Sequence, residues 1–353
     1  TLALSRPPLD PSSRVSVAGD ALITAIVDSP RAALEAIKLA EPRFRNDALF
    51  QAFFAQMALV ASDYDTAKIA VERASALDPG DPEVLSTRSD YKAGVAFDLE
   101  GARADAEAAL AIAPGSSTMW NNYGLILDTR GADREAEAAF LKAVELDPLD
   151  PVALANLALF YLDHGRIEKA RELVDRALEA DPAFDVALFV RGRQHMLEGD
   201  REAGLDSFLK VPTANPGFAN GLLALGALHA ADGEIDQAEQ AFENADRLDP
   251  NAPEIPQYRA ALALYEYQAD EAIRFARESV RRTEARGGDY ESIRATRDGG
   301  SVVGSAYRNL SLDAWGRYYG DLTFDSFQSG GYFDQAISGN WSYNPENWYG
   351  NEV

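Results

Sequence analysis

The residues that could carry chemistry are few, and their spacing decides most of them. His195 and His229 stand 34 residues apart, a recurrence that a metal site spread over two helices could use. With His164 they are the chain's only imidazoles, and no carboxylate cluster of ligand spacing accompanies them, so packing is the expected role of the pair and His164 is expected at a turn. The 57 Asp and Glu residues offer acid–base groups in plenty. A catalytic carboxylate needs burial, however, and these are interleaved with apolar residues in the manner of exposed helix faces. Asp78-Pro79-Gly80-Asp81 lacks the alternating oxygen ligands of a calcium loop and reads as a turn. There is no Gly-Lys-Ser/Thr phosphate loop and no Gly-x-Ser-x-Gly elbow. The expectation is a non-catalytic chain with no cofactor and no metal.

Charge narrows the partners. Against the 57 acids stand 33 Lys and Arg, a formal net charge of −24 spread along the chain. Such a surface repels phosphate, so nucleic acid is not an expected partner. Arg274, Arg277, Arg281, Arg282 and Arg286 form a local basic patch, suited to a helix C-terminus or to an anionic surface. Cysteine is absent, and no run of 18 apolar residues occurs. The opening at Thr1, followed by the Pro- and Ser-rich stretch Arg6 to Ser13, suggests a processed or excised part of a longer, exported polypeptide.

The elements that must position any site come from a repeat. Helix-ending prolines recur at Pro79, Pro114, Pro148, Pro182, Pro216 and Pro250, in one step of 35 residues and four of 34. Within residues 117–150, Trp120, Tyr123, Gly124 and Leu127 mark one face of a first helix, Gly131 breaks it, and Ala136, Phe140 and Ala143 mark the face of a second. Neighbouring units repeat the pattern with Leu154, Ala158, Tyr161, Gly165, Ala170 and Val174, with Leu188, Gly192, Gly199 and Phe208, and with Leu225, Gly226, Gly233, Ala238 and Phe242. In the unit ending at Pro114, Asp90 falls where the small residue belongs and Gly101 is displaced, which predicts a distorted turn.

The Trp, Gly, Ala, Phe, Ala and Pro pattern of 117–150 resembles the tetratricopeptide repeat, with Tyr123 and Leu127 at the family's Leu and Tyr places. The resemblance implies an all-α right-handed superhelix of about six to seven helix pairs. The expected organisation is a Pro/Ser-rich linker over 1–16, an N-terminal helix pair over 17–47, the repeat array over 48–284 and an aromatic, Gly-rich, non-helical tail over 285–353. In this family the first helix of each pair lines a concave groove that receives a peptide. On that basis the partner-binding residues are Asn121, Asn122, Leu125, Asn156, Leu159, Phe189, Arg193 and Leu223. Asn122 and Asn156 occupy the same place in successive units, where relatives hydrogen-bond a peptide backbone; Arg88, Val190 and Ala224 stand at the equivalent places elsewhere. The basic clamp of chaperone-binding relatives is not reproduced, since Asn121 and Ala155 stand where a cation would help.

The tail is rich in Tyr, Trp and Phe among Gly, Ser and Asn. It reads as an extended wrap capping the last helix pair, as the start of a larger β-structure, or as an assembly segment. Ala306 to Leu312 and Trp315 to Asp321 resemble the junction in bacterial envelope proteins where a tetratricopeptide array precedes an outer-membrane β-barrel. The function expected is therefore a protein-interaction scaffold in the bacterial cell envelope, that is, periplasm, outer membrane or cell surface. A self-associating subunit of a surface or filament assembly and an accessory region of a multidomain enzyme are the competing readings, and a cytoplasmic location is the alternative.

Overall fold

The computed structural model describes residues 13–96 and 98–285, so the expectations for residues 286–353 lie outside the described residues. Among the described residues sixteen α-helices follow one another: α1 (Arg14–Val27), α2 (Pro30–Ala40), α3 (Ala48–Val60), α4 (Tyr64–Leu77), α5 (Pro82–Gly94), α6 (Leu99–Ile112), α7 (Ser117–Thr129), α8 (Asp133–Leu146), α9 (Pro151–Asp163), α10 (Ile167–Ala180), α11 (Asp185–Leu197), α12 (Arg201–Ala214), α13 (Ala219–Ala231), α14 (Ile235–Leu248), α15 (Glu254–Tyr265) and α16 (Ala269–Ala285). No strand occurs among the described residues, and no helix there is long and apolar enough to cross a membrane. Each odd-numbered helix packs against the even-numbered one that follows it, as the α3–α4, α7–α8, α9–α10, α13–α14 and α15–α16 pairs show. Contacts group the chain into two units, one of residues 1–93, 98–148 and 213–217, the other of 94–97, 149–212 and 218–353.

Local chemistry sets the helix boundaries. Asp47, Asp63, Asp98, Ser116 and Asp150 stand just before helices, and their side chains accept from backbone N–H groups of the first turn. Between the paired helices one residue takes the left-handed conformation, with φ of 70° at Gly131, 67° at Gly165, 80° at Gly199 and 75° at Gly233. Ser62 (55°) and Tyr267 (60°) make the same turn without glycine. Each of these turns is closed by the same backbone bond spanning five residues, as in Ala132 N–H to Leu127 C=O at 2.9 Å and Gln268 N–H to Ala263 C=O at 2.8 Å.

The turn between α5 and α6 is the exception, and it accounts for the one 35-residue step. Four residues separate these helices where three separate α7 from α8, and the closing bond runs from Asp98 N–H to Lys92 C=O at 2.9 Å, spanning six. The extra residue shifts α5 by one place against the count made from the prolines. Ser89, not Asp90, therefore holds the small-residue position: it is buried, and its hydroxyl donates to Ala102 C=O at 2.6 Å. The same shift puts buried Thr87, not Arg88, at the place of Asn122. Asp90 becomes the counterpart of Leu125.

The interior of each pair is a volume exchange. A Cβ placed on Gly124, Gly192 or Gly226 would come within 2.7, 2.4 and 2.4 Å of the rings of Phe140, Phe208 and Phe242 respectively. Those three rings are fully buried. Where the first helix carries Ala158 or Ala55, the partner is Val174 or Val71, and opposite Ala260 it is Ala276, all buried.

Candidate functional site

In each unit the face of interest is the one the odd-numbered helices present away from their partners. In the first unit, Asn121 is 4% exposed and donates from Nδ2 to Asn122 Oδ1 at 3.5 Å. Asn122, half-buried on α7, donates in turn to Asp90 Oδ2 on α5 at 3.3 Å. Leu125 is 41% exposed one turn further on. Burial, aided by the charge of Glu83, pushes the Asp90 carboxyl up to about 7. Burial, with Asp81 nearby, also raises the Glu83 carboxyl. Two residues before Asp90, Arg88 closes bidentately on Asp105 of α6 at 2.6 and 2.7 Å, and Lys92 adds an ion pair at 2.7 Å. Burial alone would raise Asp105, but the hydrogen bonds from Arg88 and Lys92 outweigh it and hold the carboxyl below its ordinary range. Arg88 is therefore committed to α6.

In the second unit, Asn156, Leu159, Phe189, Arg193 and Leu223 are all half-buried. Phe189 packs edge-on against Phe218, with centroids 5.7 Å apart, and tilted against Phe208 at 5.9 Å. Arg193 reaches from α11 to Asp163 at the end of α9, at 2.8 Å. Leu223 lies against the Phe242–Ile255 core cluster. Val190 is fully buried, so the row of Asn156 does not continue on the surface at α11. The contrast between layers is chemical: the one charged residue of α9 is Asp163, and α13 has no carboxylate, lysine or arginine. By comparison α10 carries Glu168, Lys169, Arg171, Glu172, Asp175, Arg176 and Glu179, and α14 carries Asp236, Glu239, Glu243, Asp246 and Arg247.

Elsewhere in the first unit a cleft of about 410 Å³ is lined by Trp120, Tyr123 and Leu127 of α7 and by Glu135, Ala138, Ala139 and Lys142 of α8. Tyr123 donates to Glu107 of α6 at 2.8 Å; burial and that bond push the phenol up to about 12. Arg103 ties Glu107 (2.7 Å) to Glu135 (3.1 Å) across its mouth.

Two of the three histidines are engaged locally. His229 Nδ1 lies 2.6 Å from Glu234 Oε2, and His164 Nδ1 lies 2.8 Å from Phe160 C=O with its ring over that phenyl. The C-terminal arginines are likewise paired: Arg274 with Glu271, Arg281 with Glu278 at 2.5 Å, and Arg282 with Asp246 at 2.5 Å and Glu278 at 2.8 Å.

Tetratricopeptide-repeat family profiles match residues 98–151, 139–172 and 219–252. These helix pairs are tetratricopeptide repeats. No curated protein sequence matches the chain. Among solved structures, human IFIT1 solved as a dimer with m7Gppp-AAAA is similar over 90% of this chain and 90% of its own, at 14% identity and a TM-score of 0.58. The Cut9–Hcn1 hetero-tetramer of the APC/C is similar over 92% of this chain and 69% of that one, at 14% identity and a TM-score of 0.63. Both likenesses are of fold. PilW, a type IV pilus biogenesis factor, is 24% identical over 57% of this chain and 92% of its own, with a TM-score of 0.43. Tetratricopeptide arrays are protein-interaction scaffolds.

Two features are not visible from the sequence pattern alone. The Asp90–Asn122 contact is hidden by the one-residue register shift, which the single 35-residue proline step already signals. The Arg193–Asp163 pair joins residues 30 apart, a spacing that also joins Arg130 to Glu100 at 2.5 Å; recurrence at slightly less than the repeat length is the signal.

Proposed function

We propose that this chain is a non-catalytic scaffold that binds a polypeptide segment on the face of its odd-numbered helices. The observation that carries the reading is the layering in charge: in a chain of net charge −24, helices such as α9 and α13 are almost uncharged while their partners α10 and α14 carry the ions. A face of this kind suits an extended or helical segment held by amide hydrogen bonds and shallow apolar contacts. Leu125, Leu159 and Leu223 supply apolar contact, and Asn122 and Asn156 supply amide groups. In the first unit Asp90 and Glu83 favour a segment that brings donors or a positive charge.

RNA is the competing ligand class, since human IFIT1 was solved with m7Gppp-AAAA. The acidic surface disfavours it, because phosphate binding relies on concentrated Lys and Arg, and Arg274, Arg281 and Arg282 are spent on Glu271, Glu278 and Asp246. The test is selection of binders from a displayed random-peptide library with the full chain, followed by titration against variants. Leu125→Glu, and separately Asn122→Ala with Asn156→Ala, should weaken a selected peptide about tenfold or more with thermal stability nearly unchanged. Peptides whose affinity ignores all three positions, or a library that yields none while m7Gppp-AAAA binds, would overturn the proposal.

A further inference from the structure

The first described helix is built like an interior helix of the stack, although no other described helix covers its outward face. Its outward stripe of Val15, Leu22, Ile23, Ile26 and Val27 is between 47% and 73% exposed, and Leu39, at the adjoining end of α2, is 84% exposed. Gly19 sits in the middle of the stripe with open space where a Cβ would stand. The opposite side of α1 is satisfied, with Ala21 buried in the core shared by α2, α3 and α4. The segment 213–217 flanks α1 through Gly217, beside Ala25 C=O and Pro30, and leaves the stripe open. Helix α16, by contrast, turns a polar face to solvent, with Glu271, Arg274, Glu278 and Arg281 paired on it.

We infer that α1 is a self-association surface, on which the α1 helix of a second copy of this chain packs antiparallel about Gly19. Two observations favour a copy. First, the area is sufficient: a stripe of this kind presents apolar surface on the order of 500 Å², the upper end of what monomers leave bare, and two together reach the roughly 1,000 Å² that a specific interface requires. Second, α1 is locally neutral, with Arg14 and Asp20 its only charges, so the repulsion that a net charge of −24 imposes elsewhere is least here; antiparallel packing also opposes the two helix dipoles. The absence of a side chain at Gly19 lets the two helices approach closely at the axis.

Sedimentation velocity on the full chain should show a monomer–dimer equilibrium at micromolar concentrations. Ile23→Glu with Ile26→Glu should raise its dissociation constant about 100-fold or more, because each glutamate would be desolvated in an apolar interface. Both side chains are about half exposed in the monomer, so the far-ultraviolet circular dichroism and melting temperature should stay as in the parent. The chain has no cysteine, so Gly19→Cys introduces a single thiol at the predicted axis. It should cross-link to itself with a short bismaleimide, and should react with a monofunctional maleimide fast when dilute and slowly when concentrated. Four outcomes would each overturn the inference: a parent protein that stays monomeric at about 100 µM, a dimer indifferent to the two glutamates, a thiol protected at every concentration because another segment of the chain covers it, or a monomer that instead sediments with phosphatidylcholine vesicles.

Discussion

Gly124 and Phe140 are a matched pair, and so are Gly192 with Phe208 and Gly226 with Phe242. Because the ring occupies the space of the missing methyl, Gly124→Ala should destabilise by about 1–3 kcal/mol through overpacking. Adding Phe140→Val, the combination already present at Ala158 and Val174, should recover part of that loss in urea unfolding. A second prediction concerns the turns. Tyr267 has a φ of 60° with its side chain 90% exposed. Tyr267→Gly therefore removes left-handed strain while sacrificing almost no packing, and should stabilise by up to about 1 kcal/mol. Gly131→Ala should do the opposite, by a similar amount.

The pH dependence also belongs to single residues. Asp90 titrates near 7 in the folded chain and near 4 when unfolded, so the folded state holds its proton over that window. Its contribution to stability is complete below about pH 4 and is lost as pH rises toward 7. Urea midpoints measured between pH 5 and 8 should therefore fall less steeply in Asp90→Asn than in the parent. Glu278 has the reverse sign. Hydrogen bonds from Arg281, opposed by burial and joined by those from Arg282, hold it at about 2, so its stabilisation is present above about pH 4.5 and fades as pH drops toward 2.

At the scale of elements, α16 depends on one cation. Arg282, 9% exposed, reaches Asp246 of α14 at 2.5 Å, Glu278 at 2.8 Å and Ala252 C=O at 3.2 Å, while Ser279 donates to Pro253 C=O at 2.8 Å. Arg282→Ala leaves those acceptors without their donor and should cost about 1–3 kcal/mol. The loss should show first as faster amide exchange in α16, before global unfolding. The elements are legible in the sequence because helix-ending prolines, left-handed glycines and capping aspartates each fix a boundary by a local steric or hydrogen-bonding rule. The distortion of the α5–α6 turn is legible as well, but the register it gives α5 is not. An inserted residue leaves the proline count almost intact, yet it rotates every side chain of α5 by one place, moving Asp90 onto the candidate face and Arg88 off it. Asn121 is legible as a residue of α7, but its burial against Asn122 depends on packing that one helix's periodicity does not encode.

For the molecule as a whole, the central claim is that the first helices form the binding face, most plainly where α7, α9 and α13 are poor in charge and their partners α8, α10 and α14 carry the ions. The chain's lack of cysteine allows that face to be read directly, by introducing one thiol at a time. Leu125→Cys, Leu159→Cys and Arg193→Cys place it on odd-numbered helices, and Leu141→Cys, Asp175→Cys and Leu209→Cys place it on exposed sites of even-numbered ones. Maleimide labelling rates, with and without a library-selected peptide at saturation, should drop about tenfold at two or more of the first three and stay unchanged at the last three. Protection confined to positions 141, 175 and 209, or spread evenly over all six, would contradict the claim that the odd-numbered helices form the binding face.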